Sequence, residues 1–320
     1  MKKFRVVITL ILIWALSTTA SAARLLIPGG QVIGMELQDS TVTVAAFHES
    51  LGDAARSAGL KEGDRILRID GTAVTCAQDV RTALARSDGQ VDICVLRGSK
   101  TKTLHVCPTA TQNGPKLGVF LKQGTTGVGT VTYYSPESTD FAALGHGVNT
   151  AGGQLLQLTR GSVFSATVRG VKKGAIGSPG QLLGALTDPQ PMGSIGKNTA
   201  QGVFGTIDLA PKTEPLPVAD PQEVHTGRAT IRSTIEGDTL REYSVEILKI
   251  YPNTGERSRN LLLKVTDPTL LTTTGGIVQG MSGSPIIQDG KLVGAVTHVL
   301  VNDPTTGYGI FIENMLDAAA

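Results

Sequence analysis

Short stretches of alternating hydrophobic and polar residues recur along most of the chain and predict a protein built mainly of β-strands. Alternation at period two places one side of a strand on a core and the other side in solvent. Between these stretches lie turns rich in glycine and proline, and the stretches themselves cover residues 127–134, 162–168, 228–235, 244–250 and 291–299. From residue 109 onward, the pattern predicts a β-barrel or a β-sandwich domain.

Residues 51–106 carry a different pattern, in which two short helices alternate with strands. Gly59 stands where a helix needs a left-handed terminating residue, and residues 65–69 alternate at period two before the turn signal Asp70-Gly71. A second helix and two further strands follow. This part of the chain is therefore predicted to be a separate small module.

The stretch 58–67, which reads AGLKEGDRIL, resembles a PDZ domain of the bacterial type. Such domains bind a chain end by adding it as a strand to a sheet edge and holding its carboxylate on backbone N–H groups. The resemblance implies that Ile33, Gly34 and Met35 lie on that edge, with the second helix as the opposite wall. A peptide or carboxy-terminal ligand is then expected between them. The alternative is that Ile33 and Met35 are ordinary core residues.

The six residues 280–285, GMSGSP, place a serine in a glycine-flanked bend of the kind that trypsin-like proteases use. Gly280 and Gly283 supply backbone freedom around Ser282, and the N–H groups of Gly280 and Ser282 would form an oxyanion hole. Pro285 and the apolar residues after it predict a bend between two strands rather than a strand-to-helix elbow. Ser284 is the second candidate nucleophile. The alternative is an ordinary Gly/Ser turn in an all-β protein.

A serine nucleophile needs a base, and the sequence offers five histidines: His48, His105, His146, His225 and His298. The first two lie in the PDZ-like part, and His225 lies in a polar stretch typical of a solvated loop. His146 stands between two glycines, which leave room for a substrate backbone to approach. We predict His146 as the general base; the alternative is a structural histidine.

The third member of such a triad is a carboxylate that fixes the tautomer of the imidazole. Asp267 lies fifteen residues before Ser282, so a strand and a turn could bring the two together. The order His146, Asp267, Ser282 agrees with the trypsin-like order, although trypsin-like enzymes usually place the aspartate much nearer the histidine. Asp303 and Asp140 are therefore alternatives, and either could equally be a turn residue.

The charge balance and the cysteine spacing argue against nucleic-acid binding and metal binding. Lys and Arg number 29 against 27 Asp and Glu, so the chain is nearly neutral and no nucleic-acid partner is predicted. The three cysteines, Cys76, Cys94 and Cys107, show no C-x-x-C spacing, which argues against a metal site. We predict that the chemistry needs neither a metal nor an organic cofactor.

Residues 1–22 have the pattern of an export signal. Basic residues begin the chain, an apolar core covers residues 6–16, and Ala20-Ser21-Ala22 forms a small-residue cleavage site. The mature protein would begin near Ala23, and the alternative is an uncleaved membrane anchor. In either case the bulk of the chain is expected to cross a membrane.

Taken together, the segments 143–147 and 275–287 resemble the stage IV sporulation protein B peptidases of spore-forming bacteria, as do segments 193–199, 202–205 and 307–315. The resemblance covers nearly the whole mature chain. It implies a PDZ domain at 23–108 followed by a trypsin-like double β-barrel peptidase domain at 109–320, with His146, Asp267 and Ser282 at the triad positions. After Gly147 the family often carries an acidic residue, whereas this chain has Val148.

The resemblance also implies a role. Such a peptidase is exported into the space between the forespore and mother-cell membranes, where it cleaves a membrane-bound inhibitor and so releases a late sporulation sigma factor. Its expected partner is a membrane-associated protein substrate. Two other functions stay open at this point. One is a catalytically inactive exported PDZ scaffold that binds protein termini, and the other is a periplasmic quality-control protease, although those place the protease before the PDZ domain.

Overall fold

The computed structural model describes residues 24–150, 153–208, 213–252 and 259–320. The predicted export signal at 1–22 lies outside these residues. In chain order the strands are β1 (Leu25–Pro28), β2 (Val32–Phe47), β3 (Arg65–Ile69), β4 (Thr72–Ala73), β5 (Val91–Arg97), β6 (Lys100–Val106), β7 (Val119–Tyr134), β8 (Asp140–Ala143), β9 (Arg160–Lys172), β10 (Gln181–Thr199), β11 (Gly202–Ile207), β12 (Leu216–Pro217), β13 (Gly227–Thr234), β14 (Leu240–Ile250), β15 (Leu261–Val265), β16 (Pro285–Gln288), β17 (Lys291–Leu300) and β18 (Asp303–Phe311). The helices are α1 (Asp53–Ser57), α2 (Ala77–Ala85), α3 (Pro268–Thr274) and α4 (Ile312–Ala319).

Six antiparallel strands form a first barrel. The pairing runs from β2 to β7, β8, β11, β10 and β9, and β9 pairs again with β2, which closes the ring. Its interior is filled by buried aliphatic and aromatic side chains such as Val131, Phe141 and Val163. Closure of the ring leaves these strands without a free edge among themselves.

A second closed barrel follows in the order β13, β14, β15, β18, β17 and β16. Leu261, Leu263 and Ile231 are among its fully buried core residues. Two six-stranded barrels and an amino-terminal PDZ-like module confirm the predicted fold class, a mostly β protein with a trypsin-like double β-barrel. The pattern at residues 228–235, 244–250 and 291–299 predicted strands of this second barrel correctly.

The PDZ-like part and the first barrel share two strands, β2 and β7. β2 and β7 are each sixteen residues long, and their outer halves pair at 42–47 with 119–123. The register shifts between Leu37 and Val42, where the strand passes from the barrel into the module. The module has a separate core of its own, which includes Val44, Ile69 and Ile93.

The strand pairing of β2 contradicts the predicted peptide-binding edge. Ile33, Gly34 and Met35 lie in the barrel half of β2, where they pair with β7 on one side and with β9 on the other. A third strand cannot add at an edge whose hydrogen bonds are already made on both sides. Ile33 is 1% exposed and Met35 is 5% exposed, so the alternative interpretation as core residues holds.

None of the helices within the described residues has the length and apolar character needed to span a bilayer.

Candidate active site

The serine bend lies between α3 and β16 and is held by the first barrel. Gly280 and Gly283 both have φ of +98°, a backbone conformation that favours glycine. A Cβ on Gly283 would collide with the carbonyl of Thr130 on β7. The sequence motif therefore forms the bend that its glycines predicted, between a short helix and a strand.

Thr130 makes two hydrogen bonds to this bend and one to the histidine turn, and it is itself fully buried. Its hydroxyl donates to the Gly280 carbonyl at 2.7 Å, and its N–H donates to the Ser282 carbonyl at 3.1 Å. Its own carbonyl accepts the N–H of Leu144 at 3.2 Å, two residues before His146. One residue of the first barrel thus fixes the serine bend and the turn that carries the histidine.

We expect Thr130→Val to lower kcat/KM by roughly five- to tenfold, because one buried hydrogen bond that orients the bend is lost. Thr130→Ser keeps the hydroxyl and should retain most of the activity. The rate at which a fluorophosphonate labels the protein measures the effect. An equal loss in both variants would point to packing rather than to the hydrogen bond.

His146 follows a strained turn at the end of β8. Leu144 has φ of +72° and Gly145 has φ of +68°, so two consecutive residues adopt left-handed conformations. Such conformations are costly for a non-glycine residue and cluster at functional sites. Gly147 is also required, since a Cβ there would collide with Leu155 and with the carbonyl of Thr199. The backbone conformation at Gly145 and the close neighbours of Gly147 therefore explain why glycine stands on both sides of His146.

Ser282 and His146 line the same cavity, of about 600 Å³, between the two barrels. The hydroxyl of Ser282 donates to the carbonyl of Thr297 at 2.7 Å. No direct hydrogen bond joins Ser282 to His146 within the described part of the chain. Attack by Ser282 therefore requires its hydroxyl to exchange the Thr297 carbonyl for the imidazole.

The ring of His146 is oriented by a backbone carbonyl. Its Nδ1 lies 3.0 Å from the carbonyl oxygen of Gly147, which can only accept, so Nδ1 carries the proton and Nε2 keeps a free lone pair. Burial lowers the pKa of His146 below the ordinary value of 6.5, and the hydrogen bond to Gly147 partly opposes that shift. The neutral, base-competent form of His146 is thereby favoured.

The oxyanion hole was predicted from the N–H groups of Gly280 and Ser282. Among the described residues, neither group donates a hydrogen bond to a protein acceptor. Both residues line the cavity. Two N–H groups left open at a nucleophile are what a developing oxyanion needs.

The predicted triad carboxylate is placed elsewhere. Asp267 is the N-cap of α3: its carboxylate accepts the N–H of Leu270 at 2.9 Å, and Pro268 occupies the first helical turn. An Asp-Pro pair before a short apolar stretch is a typical helix start, which explains this position. Asp267 is absent from the described lining of the cavity. The structure therefore corrects its placement beside His146.

The two alternative carboxylates are also engaged locally. Asp303 accepts from the hydroxyls of Thr305 and Thr306, each at 2.6 Å, and these bonds lower its pKa. Asp140 accepts from the Ser138 hydroxyl at 2.7 Å. Within the described residues no carboxylate forms a hydrogen bond or an ion pair with His146. The Gly147 carbonyl provides the orienting contact in this conformation.

The role of Asp267 can be tested by paired substitutions. We expect Asp267→Ala to lower the free energy of unfolding by about 1 kcal/mol, because the cap of α3 is lost, whereas Asp267→Asn should stay within a few tenths. Denaturant unfolding measures the difference. The labelling rate of Ser282 in Asp267→Asn should equal that of the unmodified protein. A loss of roughly 10⁴-fold would instead restore Asp267 as the triad carboxylate.

Sequence reasoning missed three residues of the site. His298 on β17 also lines the cavity, and its ring centroid lies 5.1 Å from that of His146. Its position next to Thr297, on a strand that follows the serine bend, was a usable signal. Met35 and Thr130 gave no local signal, because their roles depend on how the first barrel closes.

Among the described residues, no group of three or more His, Cys, Asp or Glu side chains is arranged to hold a metal ion. The three cysteines are free; Cys76 and Cys94 are half-buried and Cys107 is exposed.

The family model described as SpoIVB peptidase S55 matches residues 113–316, and a PDZ domain model matches residues 32–107. The chain belongs to the SpoIVB peptidase S55 family. This S55 family member is thus a serine peptidase with an amino-terminal PDZ domain, as the sequence motifs predicted. No curated protein is significantly similar to it in sequence.

Solved structures of other proteases are similar to parts of this S55 family member. The Rv3671c protease from M. tuberculosis in its active form matches with a TM-score of 0.39 and 14% identity, over 61% of this chain and 73% of that chain. The HtrA-type protease AlgW with a decapeptide matches with a TM-score of 0.36 and 15% identity, over 65% of this chain and 56% of that chain. Similarity at this level assigns no residue a role.

Proposed function

We propose that this S55 family member is an exported endopeptidase that cleaves a membrane-associated protein substrate, with Ser282 as nucleophile and His146 as base. The observation that carries the proposal is that both residues line one cavity together with Gly280. Ser282 comes from the second barrel and His146 from the first, so the cavity lies where the two halves of the domain meet.

The proposed reaction is acyl transfer. His146 takes the proton of Ser282 at Nε2 while Oγ bonds to the substrate carbonyl carbon, and the N–H groups of Gly280 and Ser282 stabilise the oxyanion. His146 then gives that proton to the leaving amine as the peptide C–N bond breaks. Water, deprotonated by the same imidazole, hydrolyses the acyl-enzyme and restores the serine hydroxyl.

The proposed setting and role rest on the sequence. The basic start, apolar core and small-residue cleavage site within residues 1–22 support export. The family name supports a part in sporulation. The proposed role, in which the peptidase cleaves a membrane-bound inhibitor and releases a late sigma factor, is the one that the sequence resemblance implies. The PDZ domain is proposed to bind a peptide or carboxy-terminal ligand, at a surface other than the paired segment of β2.

The test of the chemistry is covalent labelling. Purified protein is treated with a fluorophosphonate, digested, and analysed by mass spectrometry to locate the modified residue. Modification of Ser282 alone supports the proposal, and modification of another serine would refute it. The role is tested in a spore-forming host that lacks its own S55 peptidase. This chain, but not Ser282→Ala, should restore expression of a late sigma-dependent reporter there.

A second candidate function is a catalytically inactive PDZ scaffold. It is favoured by one observation: in the described structure no carboxylate contacts His146. The two functions differ in peptide cleavage by the purified protein. Equal cleavage of a broad peptide library by the unmodified protein and by His146→Ala would favour the scaffold, because the residual cleavage would then come from a contaminant.

A further inference from the structure

One wall of the cavity is apolar. It is formed on the first-barrel side by Met35 and Leu37 of β2 and by Leu144, Val148 and Leu155 around the histidine turn. Leu37 is 2% exposed, and Met35 and Leu144 are each 5% exposed. Within the described residues, the lining of this cavity includes no Asp, Glu, Lys or Arg. A charged group entering it would lose water without gaining a carboxylate, ammonium or guanidinium partner from that lining.

Two glycines bring this wall into place. A Cβ on Gly129 of β7 would lie 2.6 Å from Cε of Met35 and would also collide with Leu144. A Cβ on Gly147 would collide with Leu155. Because these positions lack side chains, the aliphatic groups pack beside His146 and shape a pocket for an apolar group rather than a flat surface.

The chemistry of the proposed reaction decides which part of a substrate meets this wall. His146 gives its proton to the leaving amine, so the residues that follow the cleaved bond must pass next to the imidazole. The wall belongs to the same barrel as His146, and Leu144 and Val148 each lie two residues from it in sequence. The leaving side of the substrate therefore runs along the apolar wall.

We propose that this wall is a specificity subsite for an apolar side chain, in the first or second position after the cleaved bond. The inference rests on the proposed function and names its substrate class. Filling an apolar pocket with an aliphatic side chain instead of a smaller or charged one changes the specificity constant by at least about tenfold.

The test uses internally quenched peptides that share one sequence before the cleaved bond. The bond is first located by mass spectrometry of a cleaved peptide library, and the next two positions are then varied one at a time among Leu, Val, Ala, Asp and Lys. We expect kcat/KM for Leu to exceed that for Asp or Lys by about tenfold or more at one of these positions. Equal values across the series would overturn the subsite.

Two variants test whether the apolar wall causes the preference for an aliphatic side chain. Leu155 and Val148 are half-buried, so Leu155→Lys and Val148→Lys can each put a cation at the cavity surface. Either variant should shift the preference from Leu toward Asp by about tenfold. Leu248→Lys is the matched control, since Leu248 is 41% exposed on β14 and lies outside the described lining of the cavity. An unchanged preference in both wall variants, or the same shift in the control, would overturn the assignment.

The outcome separates this inference from the proposed function. If the unmodified protein neither cleaves peptides nor labels at Ser282, the proposed function fails and the subsite falls with it. If Ser282 labels and peptides are cleaved without an apolar preference after the bond, only the subsite is wrong.

Discussion

Replacing Ser282 with alanine is expected to reduce kcat for peptide cleavage by roughly 10⁴- to 10⁶-fold and to abolish fluorophosphonate labelling. The hydroxyl is the only group that forms the acyl bond in the proposed reaction, so no neighbouring side chain can replace it. Among the described residues, the side chain of Ser282 makes one hydrogen bond, to the Thr297 carbonyl at 2.7 Å. Its loss should change the free energy of unfolding by only about 1 kcal/mol.

Ser284 provides the matched control, because it lies two residues away and is the other candidate nucleophile. Its side chain is fully buried and its hydroxyl donates to Ser233 at 3.1 Å. Ser284→Ala should therefore keep the labelling of Ser282 while it lowers stability modestly. If labelling persisted in Ser282→Ala and vanished in Ser284→Ala, Ser284 and not Ser282 would be the nucleophile.

The site depends on contacts that cross from one barrel to the other. Gly145, next to the histidine, packs where a Cβ would lie 3.0 Å from Ile310 and from Thr297, both in the second barrel. Thr130, also in the first barrel, donates a hydrogen bond to Gly280 in the serine bend. Neither barrel contains the whole site. The protein is therefore active only while the interface between the two barrels is intact.

Local sequence patterns were sufficient for much of the fold. Period-two alternation located the strands at 228–235 and 244–250, and the AGLKEGDRIL stretch identified the PDZ domain. The glycines around Ser282 predicted the bend, since Gly280 and Gly283 both have a left-handed φ. Those beside His146 were expected to leave room for a substrate, whereas Gly145 has a left-handed φ and a Cβ on Gly147 would collide with Leu155 and with the carbonyl of Thr199. Such features depend on residues that are adjacent along the chain.

Other features depend on distant pairing, and there the sequence was misleading. Ile33 and Met35 have the pattern of any half-buried strand, so the pattern cannot show that β7 and β9 occupy both of its sides. The order of His146, Asp267 and Ser282 matched a triad, but Asp267 is followed by Pro268 and an apolar stretch that starts a helix. The Asp267-Pro268 pair thus also predicted a helix cap, and this role competes with a catalytic role for Asp267.

Replacing His146 with alanine should lower kcat/KM by roughly 10⁴-fold or more, because the hydroxyl of Ser282 then has no base and the leaving amine has no acid. His225→Ala is the control. His225 is an exposed histidine whose side chain pairs with Asp289 at 2.8 Å, and it lies outside the described lining of the cavity. We expect that variant to keep its activity, and equal losses in the two variants would contradict the role of His146.

The pH dependence of kcat/KM provides a second test of the role of His146. Only neutral His146 can accept a proton, and burial lowers its pKa below 6.5, so it stays neutral to a lower pH than an exposed histidine. The acid limb of kcat/KM for the unmodified protein should therefore fall with an apparent pKa below 6.5. An acid limb of kcat/KM centred above 6.5 would require a charge that stabilises the imidazolium in the free protein, such as a carboxylate in contact with His146. That result would revive the triad and contradict the described conformation, in which His146 is oriented by the Gly147 carbonyl.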